Sequence, residues 1–209
     1  MELTRNNTFM VRLNKYKYLF IVPIVAIIVI LIACSLYKSY TNSKADKDSL
    51  VFSDIQENLM AGKEQEAFNL LNKLSKEGTK GYKLISYFQK ASININKKQY
   101  KEAIDNLQAI NKLSVPEYYK NLANHIIFSI RLDQDKDLKP LISDIQKETN
   151  SNNAFYYSNL ELLSIALYTI KDYSGAITNL DKIITEDKVP NGVKERAKAL
   201  KSLALAYVK

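Results

Sequence analysis

From Tyr18 to Tyr37 the chain reads YLFIVPIVAIIVILIACSLY, twenty residues without a charge. At about 1.5 Å per residue a helix of that length is about 30 Å long, the thickness of a bilayer's hydrocarbon core. Tyr16 and Tyr18 at one end, and Tyr37 and Tyr40 at the other, stand where interfacial aromatics are preferred. Pro23 falls in the first turns, where its missing N–H costs least. The run predicts a transmembrane anchor over 18–37, preceded by a basic segment, 1–17. Residues 38–48 are polar and predict a short linker that turns helical toward its end. From 49 to 209 the pattern changes. Apolar residues recur at three- and four-residue spacing, as in Leu84, Tyr87, Phe88 and Ala91, in Leu122, Ile126 and Ile130, and in Leu160, Leu163, Leu167 and Ile170. That spacing puts each set on one face of a helix. Pro116 and Pro190 each precede such a stretch. Helices are predicted over 46–61, 64–77, 79–97, 99–113, 116–132, 136–149, 153–171, 173–186 and 190–208.

Three segments align with one another. Gly62 opens GKEQEAFNLL, Lys98 opens KQYKEAIDNL and Lys171 opens KDYSGAITNL. In each, an alanine (Ala67, Ala103, Ala176) is followed four residues later by Leu71, Leu107 or Leu180. A degenerate copy, DQDKDLKPLI, begins at Asp133 and puts Leu138 at the alanine position. The four positions are 36, 35 and 38 residues apart. Two antiparallel helices and their turns need that many residues, and the period is close to the ~34 of a tetratricopeptide repeat. The fold class read from this is all-α: an N-terminal transmembrane helix, then a TPR-like right-handed stack of antiparallel helical hairpins. A small residue at 67, 103 and 176 lets two helices approach closely. Val193–Lys209 carries Ala197, Leu200, Leu203, Ala204 and Tyr207 on one face and reads as a closing helix. In such a stack the first helix of each hairpin lines a concave groove. By register, Phe88, Ser92, Glu161, Ile165 and Tyr168 face it and are the candidate partner-binding residues.

Charge refines the picture only near the anchor. The chain carries 30 Lys and Arg against 22 Asp and Glu. Arg5, Arg12, Lys15, Lys17 and Lys38 flank the apolar run with only Glu2 against them, which leaves 25 basic and 21 acidic residues elsewhere. There, Lys alternates with Glu, Asp and Asn on helix faces as a solvated surface does, so no nucleic-acid partner is expected. Four basic residues before the run and three after it (Lys38, Lys44, Lys47) lean the N-terminus toward the cytoplasm and the bulk of the chain outside it. Leu31-Ile32-Ala33-Cys34 also resembles a lipobox, whose cysteine would be lipidated and the preceding peptide removed. Both readings place the domain outside the cytoplasm. Cys34 is the sole cysteine, so no intrachain disulfide can form.

The order of these units resembles the ancillary SecYEG translocon subunit family (YfgM-like), a branch of the TPR-like superfamily, and most nearly its smaller alphaproteobacterial members. A basic N-terminus and one anchor come first, then GKEQEA, KQYKEAIDNL, the degenerate DQDKDL and KDYSGAITNL, with KVPNGVKERAKALKSLALAYV last. The resemblance implies an inner-membrane protein with its bulk in the periplasm. Its implied partners are the Sec translocon and periplasmic chaperones, to which it would pass secreted proteins. The chain departs from the repeat pattern at Tyr87 and Leu160, where tryptophan is usual, and at His125 and Ser129, where apolar residues are usual. An alternative of a different class is a structural scaffold or homo-oligomerising spacer in envelope assembly or cell division.

Chemistry is sparse. There is one histidine, His125, which reads as a packing or capping residue. GxxxxGK[ST], GxGxxG and GxSxG are all absent. Asp133, Asp135 and Asp137 lack the glycine and glutamate of a calcium loop and read as charge bias at a helix start. Fourteen tyrosines read as core and groove wall. The sequence therefore predicts a binding protein with no catalytic residue, metal or cofactor. Ala103→Arg or Ala176→Arg should overpack the hairpin and bury a charge. The expected outcome is loss of cooperative thermal unfolding, followed by circular dichroism.

Overall fold

The computed structural model describes the backbone of residues 3–150 and 152–208, with side chains from Ile30 onward. Among the described residues there are nine helices: α1 (Leu3–Met60), α2 (Glu64–Glu77), α3 (Lys80–Asn96), α4 (Tyr100–Asn111), α5 (Glu117–Gln134), α6 (Lys139–Glu148), α7 (Tyr156–Thr169), α8 (Tyr173–Thr185) and α9 (Asn191–Leu205). The predicted anchor lies for most of its length outside the residues whose side chains are described, as do the basic residues before it. Among the described residues no helix is long and apolar enough to cross a membrane. Residues 38–48 continue α1 without a break. No glycine or proline stands between Pro23 and Gly62, so nothing in the polar segment ends the helix.

Three hairpin turns are built alike. Gly62, Lys98 and Lys171 adopt φ of 72°, 59° and 68°, each five residues before its alanine. The next residue's N–H reaches back five positions: Lys63 to Asn58 O at 2.8 Å, Gln99 to Asn94 O at 2.8 Å and Asp172 to Leu167 O at 2.9 Å. These bonds satisfy carbonyls left open at the helix end, as a Schellman cap does. The α5–α6 turn differs. Asp135 there has φ −73° and ψ 129°, and α6 starts three residues later than expected. Pro140 sits in its first turn and has no N–H to give to Lys136, so a helix cannot begin there. The start of α7 is delayed as well. Asn153 accepts from Phe155 N–H at 2.8 Å and donates to Glu148 O at 3.1 Å, which holds the preceding segment in a turn.

Apolar side chains form four successive clusters rather than one core. Ile55, Leu71, Leu74 and Ile93 join α1, α2 and α3. Leu84, Leu107, Ile110 and Ile127 join α3, α4 and α5. Phe128, Leu141, Ile145 and Leu163 join α5, α6 and α7. Leu160, Leu180, Ile183 and Ala197 join α7, α8 and α9. Each cluster is shared by one hairpin and the next helix, the arrangement of a solenoid. Ala67, Ala103 and Ala176 are fully buried at the fourth position of α2, α4 and α8. Asp48 ties α1 to the start of α3: its buried carboxylate accepts Thr79 N–H at 2.6 Å.

Left-handed backbone disfavours any side chain with a Cβ. Lys98→Gly and Lys171→Gly should therefore each stabilise the fold by about 1 kcal/mol. The measurement is urea denaturation, and an unchanged midpoint for both variants would contradict the strain at these turns.

Candidate protein-interaction site

First helices of successive hairpins also touch one another, whereas the second helices make no extended contact with each other. α1 touches α3, α5 touches α7, and α7 touches α9. The second helices α2, α4, α6 and α8 pack on their own partner and on the next first helix. The first helices thus lie closer together and form the inner layer of the stack. α3 and α5 make no extended contact, so the layer is loosest at its middle.

The sequence-selected groove residues fall on two separate parts of this layer. Phe88 and Ser92 are on α3. Phe88 is half-buried against the second cluster, and Ser92 is exposed. Glu161, Ile165 and Tyr168 are on α7, all half-buried. Glu161 receives two bonds from the Arg196 guanidinium, from Nε at 2.6 Å and from Nη2 at 2.7 Å, which join α7 to α9. Tyr168 meets Tyr173 and Tyr207 with ring centroids 5.4 and 6.2 Å apart, and Tyr173 stacks on Tyr207 at 4.8 Å. Desolvation first, and the Tyr207 hydroxyl second, push the Tyr168 phenol above its ordinary range. α5 stands between the two groups.

Of the repeat-packing residues, the three alanines are placed alike. Leu138 is buried but stands at the N-cap of α6, and Ile142 takes the fourth helical position. Leu138 O accepts the first intrahelical bond, from Ile142 N–H at 2.9 Å. Beside this hairpin a cleft of about 280 Å³ opens between α4, α5 and α6. Arg131 lines it and pairs with Asp135 at 2.9 Å and Asp144 at 2.8 Å. Asp137 accepts Lys139 N–H at 3.0 Å. Asp135 and Asp137 of the degenerate repeat are thus used in local pairing and capping.

A cluster that the three- and four-residue spacing does not announce lies where α5 and α7 begin. Phe155 stacks on His125 with centroids 5.3 Å apart and contacts Tyr118 at 5.5 Å. Tyr118 meets Tyr119 edge-on at 5.6 Å. His125 Nδ1 is 2.8 Å from Oδ1 of the buried Asn159. Tyr118 is 52% exposed and Tyr119 37%, so this is an aromatic surface with free faces. A signal for it exists in the chain: YYKNL at 118–122 and YYSNL at 156–160 repeat 38 residues apart. On α7 the second doublet packs into the last cluster; on α5 the first stays open. Large rings with one apolar face and a polar tip suit contact with another protein.

The family model described as tetratricopeptide repeat-like domain matches residues 13–161. The match takes in the apolar run, the first three hairpins and the start of α7. No curated protein and no solved structure matches the chain.

The Arg131 cluster makes a pH prediction. The hydrogen bond from Arg131 holds the Asp144 carboxyl below its ordinary range. A depressed folded-state pKa contributes stability that is fully present above the unfolded value, about 4, and is lost as pH falls through the folded value. Unfolding free energy should therefore decline in that acid window, and Asp144→Asn should flatten the decline. Chemical denaturation at stepped pH reads it, and identical slopes in both proteins would remove Asp144 from the account.

Proposed function

As the chain belongs to the tetratricopeptide repeat-like domain family, whose members commonly mediate contacts between proteins, we propose that it is a membrane-anchored protein-interaction module rather than a catalyst. One observation carries the reading. The first helices build a continuous inner layer over α5, α7 and α9, and aromatic rings at its edge keep exposed faces. The anchor is supported by the uncharged run at 18–37 and by a family match that begins at residue 13 and runs through it.

The finer reading rests on the sequence resemblance. The protein sits in a bacterial inner membrane with its N-terminus in the cytoplasm and its repeats in the periplasm. It works beside the Sec translocon and passes emerging secreted proteins to chaperones. The uncharged run and its flanking lysines and arginines are what support the placement.

The test uses the full chain with a C-terminal tag, crosslinked in intact cells and gently solubilised. SecY and a periplasmic chaperone should copurify. Recovery should fall when Tyr118 and Tyr119 are both changed to Ala, and separately with Phe88→Ala. The chain should also stay in the pellet after carbonate extraction. Recovery of the protein alone, or with division and envelope-assembly factors and no Sec component, would replace the translocon reading with the scaffold one.

A further inference from the structure

Just beyond the apolar run, α1 borders an open cleft of about 680 Å³. Tyr37, Tyr40 and Lys44 line it from α1, Lys80 and Lys83 from the start of α3, and Lys112 from the turn after α4. Three segments far apart in sequence thus bring four ammonium groups to one opening. Among the described residues, no carboxylate oxygen lies within 4.0 Å of any of the four nitrogens. Five lysines elsewhere on the domain are in ion pairs (Lys97 with Glu64, Lys120 with Glu117, Lys147 with Asp144, Lys198 with Glu195 and Lys201 with Asp181). Others, such as Lys63 and Lys73, are not in ion pairs among the described residues, so what sets the cleft lysines apart is that four of them line one opening. Asp48, one turn along α1 from Lys44, is buried and taken by Thr79 N–H. α3 has no acidic residue in its first turn, so its N-terminal dipole adds to the positive field. At Gly81 a side chain would meet nothing within 4 Å, which leaves the mouth open.

The position of the cleft selects its occupant. Tyr37 is the last residue of the uncharged run, and Lys44 is about 10 Å further along the same helix. If that run spans a bilayer, the cleft opens at headgroup depth, with Tyr37 and Tyr40 at the interface, 71% and 67% exposed. We propose that this cleft docks the repeat domain on the membrane surface by binding the phosphates of anionic phospholipids. The inference rests on the membrane-anchored reading above. Clustered lysines beside a span attract an anionic leaflet, and salt screens the attraction.

The test uses the full chain in nanodiscs of phosphatidylcholine alone or mixed with phosphatidylglycerol, followed by hydrogen–deuterium exchange. Exchange at 79–83 and 112–114 should slow severalfold in the anionic discs only. High salt should cancel the effect, and so should the joint change of Lys44, Lys80, Lys83 and Lys112 to Gln. Changing the distant Lys147 and Lys198 to Gln should leave it intact. Equal exchange in the two kinds of disc overturns headgroup docking while leaving the anchor standing. The same protection from inorganic phosphate with phosphatidylcholine discs also overturns it, in favour of a soluble anion. A chain that enters neither disc and does not float with vesicles overturns the membrane reading and this inference together.

Discussion

The close approach of two helices at an alanine sets the geometry of this domain. At Ala67, Ala103 and Ala176 the second helix presents only a methyl group, and all three are fully buried. With the axes that near, the leucines four residues on and the apolar residues seven on drop into the same interface. The left-handed residue five positions earlier turns the chain so that the alanine arrives facing the right way. Each hairpin then offers one remaining apolar face, and the next first helix covers it.

The third hairpin shows what happens when the alanine is missing. Leu138 falls at the N-cap, Ile142 takes the alanine's helical position, and Pro140 displaces the helix start toward the C-terminus. The two helices of this hairpin touch less than those of the others, α6 is the shortest of the set, and a polar cleft opens beside it. Arg131 bridges that space by holding Asp135 and Asp144 together. Half-exposed ion pairs are a weak replacement for packed methyl groups. The middle of the stack is accordingly held by the Phe128, Leu141, Ile145 and Leu163 cluster, with the Arg131 pairs beside it.

Much of this was readable in the chain because the signals are local. Helix faces follow from spacing, and the alanine with its leucine marks three of the four hairpins. Gly62 announces its own turn, but Lys98 and Lys171 occupy the same backbone conformation with nothing in their chemistry to show it. The late starts of α6 and α7 depend on Pro140 and on the Asn153 side chain, short features that override a helical pattern. The candidate groove was the least legible part. Register alone placed Phe88 and Tyr168 on inner helices, but how far apart α3 and α7 sit depends on the irregular hairpin between them. The open doublet at 118–119 and the half-buried one at 156–157 share a sequence and differ only in what packs on them. No local pattern can report that difference.

The unbroken course of α1 has a mechanical consequence. The segment expected to be a linker, 38–48, is part of the same rod that supplies Ile55 to the first cluster. A coiled tether of eleven residues would let the domain sweep through many orientations. A helix permits almost none of that bending, and the Asp48 clamp on Thr79 restrains it further. Rotation or tilt of the N-terminal part of α1 is therefore handed directly to the repeats, so that the domain is steered like a rudder on its stock rather than trailed on a cord.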